Sequence, residues 1–131
     1  MIKFFSTNKI IFYSINFFLI FLYIFPGSLI GLVLQGDLKA QPQITSDFIV
    51  SSNHFYTFLL LSIIGFFTFQ KQKQIKYLKT YSILIAIILE LFHLMIPERY
   101  FEWSDLSGNL LGVVIVIFIN YFINKNDFFK K

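Results

Sequence analysis

A chain of 131 residues that is 56% hydrophobic, 14% charged and of mean hydropathy +0.70 has too few polar residues to clothe a soluble domain, and its length suits one domain, residues 1–131. The absence of cysteine excludes disulfides, thiolate metal sites and a cysteine nucleophile. The net charge of +4 does not mark a nucleic-acid binder: the lysines gather beside apolar segments, at Lys3 and Lys9, at Lys71, Lys73, Lys76 and Lys79, and at Lys125, Lys130 and Lys131, and leave no basic patch to spare.

Four apolar segments, at about residues 10–25, 54–69, 81–96 and 106–123, each approach the roughly 20 residues that a bilayer-spanning helix needs. The expected fold is therefore all-α, a four-helix transmembrane bundle. The first segment follows a basic start, as in a signal peptide, but YIFPGSLIG offers no small-residue cleavage site, so an uncleaved helix ended by Pro26 and Gly27 is expected. The next stretch, GSLIGLVLQG, is too short to span and fits a re-entrant or interfacial piece. DLKAQPQITSD is polar and turn-like, and Pro42 marks extended chain. The tail NKNDFFKK pairs lysines with aromatics and suits lipid head groups.

Orientation follows from charge. The N-terminus, the 70–79 loop and the C-terminus hold nine lysines and one aspartate. The other two loops and adjoining helix ends hold Lys39 and Arg99 against Asp37, Asp47, Glu98, Glu102 and Asp105. Both termini are expected in the cytoplasm, in a multi-pass protein of the bacterial inner membrane.

The polar residues are few and patterned. Ser82, Ala86, Glu90, His93 and Pro97 fall on one narrow arc of the third helix; Asp105, Gly108, Asn109 and Gly112 share one on the fourth; His54, Thr57, Gly65 and Thr68 share one on the second. These stripes are expected to face each other near the outer end of the bundle, with the apolar faces toward lipid. Gly108 and Gly112 form a GxxxG pattern, which lets a neighbouring helix approach closely. Toward the inner side only Asn16 and Asn120 are strongly polar, and neither ionises, which weakens a pump, channel or transporter reading.

Each group also has a bland reading. Glu90 could lock helices by bonding Asn109, Arg99 could snorkel, and Asp105 could cap the fourth helix. Glu90-x-x-His93 has the spacing of bundle metal sites, with His54 as a third ligand; the second such motif of di-iron proteins is missing, a single zinc stays open as the minor alternative, and the expectation is no metal and no other cofactor. Ser51, Ser52 and Ser107 lie near His54 and Asp105 without a GxSxG elbow, which argues against a serine hydrolase.

The ordered run Glu90, His93, Pro97, Arg99, Asp105, Asn109 and Gly112, with His54 opening a preceding helix, resembles the VanZ-like family of small bacterial membrane proteins over about residues 47–123. The departures are VSSN where that family often has Asp-Lys before the histidine, and His93 where many members have glutamine. The resemblance implies an envelope protein of a family named for glycopeptide-antibiotic resistance. The expected function is an outward-facing polar pocket that binds or modifies an anionic lipid-linked envelope precursor or glycan. Glu90 and His93 are the candidate proton-exchanging, catalytic groups, and His54, Arg99, Asp105 and Asn109 the candidate ligand-binding groups. The partners are then membrane lipid, such a precursor or another membrane protein, and no nucleic acid. The rival is a non-catalytic subunit or scaffold of a larger membrane complex, in which the polar cluster only locks the helices; enzyme and binder stand side by side.

Overall fold

The structure is a computed structural model and describes residues 9–125. Lys3, Lys130, Lys131 and the rest of the tail from residue 126 lie outside the described residues. Among those described there are five helices and no strand: α1 (Lys9–Ile24), α2 (Leu29–Gln35), α3 (Ser52–Thr68), α4 (Gln72–Phe92) and α5 (Trp103–Lys125).

Helix α1 ends where Pro26 removes the next N–H donor and Gly27 takes φ +74°. The chain then turns by 83° into α2, so GSLIGLVLQG contains a short helix. The Ser28 hydroxyl caps α2 by accepting from Gly31 N at 2.9 Å, and Gly36 closes it at φ +69°. The stretch after α2 folds back onto the start of α3. Asn53 ties it down by donating to the Pro42 carbonyl and accepting from Ile44 N, and Asp47 accepts from Ser52 N at 2.9 Å.

Three helix limits differ from the sequence reading. The expected third helix, 81–96, begins nine residues earlier, at Gln72, and ends at Phe92. Gln, Lys, Tyr and Leu are good or adequate helix formers, and Leu78 is buried, so the lysine-rich stretch is helical turn and not loop. The α3–α4 connection shrinks to residues 69–71. At the other end, His93, Leu94 and Met95 donate to the carbonyls of Glu90, Leu91 and Phe92, three residues back, which unwinds the helix before Pro97. Helix α5 begins at Trp103, so Asp105 lies in its first turn and is not its N-cap.

Helices α3 and α5 form the central pair. A Cβ on Gly108 would lie 2.7 Å from the Ser51 carbonyl oxygen, and one on Gly112 would lie 2.6 Å from that of Phe55 and 2.7 Å from Leu59 N. The GxxxG face therefore rests directly on the backbone of α3. Helix α4 packs on α5, and α1 on α3 and α4, around Phe12, Leu19, Phe58, Leu61, Leu78, Ala86, Leu89 and Val113.

The outside is unusually apolar. Ile10, Phe17, Val33 and Met95 are each more than 70% exposed. One described helix, α5, is long and apolar enough to cross a membrane alone, over Trp103–Asn124. The bent pair α1–α2 would supply a second crossing if it acts as one span. Helix α3 has 17 residues, and the first turns of α4 carry Lys73, Lys76 and Lys79.

Candidate functional site

Periodicity places Ser82, Ala86, Glu90 and His93 on one face, and all four are buried, Glu90 completely. Pro97 lies beyond the helix and is exposed. The fully buried Asn109 reaches across from α5 because the neighbouring glycines let α3 approach. Its amide nitrogen donates to the Ala86 carbonyl of α4 at 3.1 Å, which turns its oxygen toward α1 and α3. That oxygen accepts from the Tyr23 hydroxyl at 2.9 Å and lies 3.0 Å from His54 Nδ1. The same hydroxyl is 3.1 Å from His54 Nδ1.

His54 stands between two carboxylates. Its Nε2 is 3.3 Å from Asp105 Oδ2, and its Nδ1 is 3.7 Å from Glu90 Oε2. The other Glu90 oxygen, Oε1, lies 3.3 Å from His93 Nδ1 and accepts from Glu102 N at 3.2 Å. The Tyr23 ring stacks on His93, with centroids 5.6 Å apart and planes at 16°, and meets His54 edge-on. Glu90 Oε2 and His93 Nε2 are buried with no hydrogen-bond partner among the described residues.

Arg99 approaches from the loop between α4 and α5. Proline at position 26 leaves the Leu22 carbonyl without its helical donor, and Arg99 Nη2 supplies one at 3.0 Å. Arg99 Nε donates to the Phe25 carbonyl at 3.4 Å. Burial lowers the Arg99 pKa from its ordinary value, and attraction to Glu90 and Asp105 partly offsets this, so the guanidinium stays cationic at neutral pH. Its remaining N–H donors meet no acceptor among the described residues and border a cavity of about 320 Å³. His54, His93, Asp47, Glu102 and Asp105 line that cavity together with Leu19, Leu22, Leu60 and Leu61.

The structure thus brings Glu90, His93, His54, Asp105 and Asn109 together and sets Arg99 on the same cavity. Four details depart from the sequence reading. Glu90 meets His93 and the Glu102 backbone, not Asn109. Asp105 faces His54 from the first turn of α5 and does not cap it. Arg99 does not merely snorkel but reaches back to the Leu22 and Phe25 carbonyls at the end of α1. Finally, α1 joins the three helices expected at the site, through Tyr23, which the sequence reading missed. Its only signal was a hydroxyl-bearing ring one turn before a helix-ending Pro-Gly. Ser52 donates its hydroxyl to the Thr45 carbonyl at 2.6 Å, and Ser107 is exposed.

Chemically the arrangement offers a cation beside an open cavity and, behind it, an imidazole flanked by two carboxylates. The comparisons with known proteins add no relative: no protein-family model, no curated protein and no solved structure matches the chain.

Proposed function

We propose that the chain is a four-span, VanZ-like protein of the bacterial inner membrane whose outward-facing pocket binds an anionic lipid-linked envelope precursor or glycan. The observation that carries this reading is the cavity itself, whose lining joins Arg99, with donors to spare, to leucines suited to an acyl or isoprenoid chain. The spans gain support from the exposed apolar faces, and from lengths of about 24–26 Å for α1 and α3 at 1.5 Å per residue against a hydrocarbon core of about 30 Å. The orientation gains support from the separation of charge. Lys9 sits over the Phe69 ring, so α1 begins beside the lysine-rich start of α4, while Asp105 and Glu102 line the cavity at the opposite end of α1.

A second reading, the scaffold, is favoured by one observation: Tyr23, Asn109 and two faces of Arg99 are satisfied within the chain. Arg99→Gln and Arg99→Lys separate the two. Purified protein in detergent is presented with an isoprenoid diphosphate or with the isoprenoid alcohol of equal length, and retention is read by native mass spectrometry. The binding reading expects preference for the diphosphate, weakened roughly tenfold or more in Arg99→Gln and less in Arg99→Lys, in protein that still accumulates in the membrane. Equal retention of both lipids by the native chain, or failure of both variants to accumulate, refutes it.

A further inference from the structure

Around His54 the hydrogens do not suffice. A neutral imidazole carries one N–H and the Tyr23 hydroxyl one O–H. Facing them are Asn109 Oδ1 at 3.0 Å from Nδ1, Glu90 Oε2 at 3.7 Å from Nδ1, and Asp105 Oδ2 at 3.3 Å from Nε2. The Asn109 amide cannot turn its nitrogen to help, because that nitrogen already donates to Ala86. If Nε2 carries the hydrogen, Nδ1 and Asn109 Oδ1 face each other with one hydroxyl hydrogen between them. If Nδ1 carries it, Nε2 points a lone pair at a carboxylate. In either case the fully buried Glu90 Oε2 has no donor among the described residues. Among the described residues Arg99 is the one cation near these two carboxylates, but its hydrogen bonds go to the Leu22 and Phe25 carbonyls, so beside the neutral ring Glu90 Oε2 stays without a donor, and a buried carboxylate oxygen left so costs several kcal/mol.

We propose that His54, Glu90 and Asp105 hold a single divalent transition-metal ion of the zinc class. One ligand atom from each of the three lies within 4.8 Å of the other two. The 3.3 Å between His54 Nε2 and Asp105 Oδ2 is already the edge of a tetrahedron with bonds of about 2.0–2.1 Å. Glu90 Oε2 carries no hydrogen bond of its own among the described residues and lies 3.7 Å from the other ring nitrogen, so it would reach the third corner by a swing about the Oε1 that His93 and Glu102 hold.

The surroundings then fall into order. With Nε2 on the metal, Nδ1–H donates to Asn109 Oδ1, which also accepts from Tyr23, and every hydrogen has an acceptor. Asn109 fixes the tautomer of the ligating histidine, as outer partners of metal-bound histidines do. One imidazole and two carboxylates, with no thiolate in the chain, suit Zn²⁺ or Mn²⁺ and not a soft-metal site. Three protein ligands leave a fourth position, and the cavity that His54 and Asp105 line is where water or a ligand oxygen would take it. The set differs from the one suggested by the Glu90-x-x-His93 spacing: Asp105 is the third ligand, and His93 holds the far oxygen of Glu90.

The full chain in detergent, stripped with a chelator and dialysed against Zn²⁺, tests this. About one Zn²⁺ per chain is expected, with affinity reduced roughly 10–100-fold or more in both Glu90→Gln and Asp105→Asn, and unchanged in Tyr81→Phe at the far end of the bundle. X-ray absorption of the zinc-loaded native chain needs no variant to fold, and is expected to show one imidazole among oxygen ligands. Failure of the native chain to take up zinc, equal uptake by both variants, or a spectrum without imidazole overturns the proposal; in the first case the missing charge is a proton on His54. No lipid enters these measurements, so their failure leaves the anion reading of the cavity standing, and the reverse holds too.

Discussion

Replacing Gly112 by alanine should unseat the whole outer end of the bundle. The added methyl would lie 2.6 Å from the Phe55 carbonyl oxygen and 2.7 Å from Leu59 N, where ordinary contact begins near 3.4 Å. Both neighbours belong to the main chain of α3, and neither can rotate away. Helices α3 and α5 must therefore part by about 0.8 Å at that point. A gap of that size forfeits a quarter to a half of the dispersion between the facing surfaces, which here include Phe58, Leu61 and Val113. Overpacking of this kind costs about 1–3 kcal/mol. One turn away, the 3.0 Å approach of His54 to Asn109 stretches toward the hydrogen-bond limit and adds about 1 kcal/mol. Together these lower the midpoint of thermal unfolding on the order of 10 °C for a chain of this size. Gly65→Ala is the control, because its new methyl meets mainly the rotatable ends of Leu78 at 2.9 and 3.1 Å. Thermal unfolding in detergent, followed by circular dichroism, reads both. An unfolding midpoint for Gly112→Ala within about 2 °C of the native chain, or a loss for Gly65→Ala as large, would refute the backbone-on-backbone reasoning.

Tyr23→Phe removes the bond to Asn109 but keeps the ring stacked on His93; it should cost about 1 kcal/mol, and Tyr23→Leu distinctly more, because the stack goes as well. Equal unfolding midpoints for the two would show that the ring adds nothing. Glu98 stands in the left-handed region at φ +59°, and its contact with Lys39 at 3.7 Å is between two exposed side chains. Glu98→Asn should therefore raise stability by about 0.5–1 kcal/mol, since asparagine tolerates that conformation and the exposed ion pair contributes little. A lower unfolding midpoint in Glu98→Asn would contradict this.

The parts of the site legible in the sequence were those written as side chains at helical period. Ser82, Ala86, Glu90 and His93 stand out because nearly every neighbour is Ile, Leu or Phe, and Gly108 and Gly112 announce a close contact by lacking a side chain. What stayed hidden depends on the backbone or on undifferentiated neighbours. Nothing in the letters around Arg99 says that its partners are two carbonyls, one of them freed by Pro26. Tyr23 lies in FFLIFLYIF, which is apolar all round, so no stripe marks its direction. The first turns of α4 were hidden because three lysines suppress the apolar signal, although Leu78 faces the core. For the same reason length and hydropathy single out α5, while α3 and α4 need their exposed apolar faces, visible only in three dimensions, to argue for spans.

The seam between α3 and α5 also bears on how such a chain tolerates drift. Peptide groups, which every amino acid shares, set the separation of the two helices that carry His54 and Asp105. The outward side chains can be exchanged among Phe, Ile, Leu and Val without altering that ruler, because none of them lies in the seam.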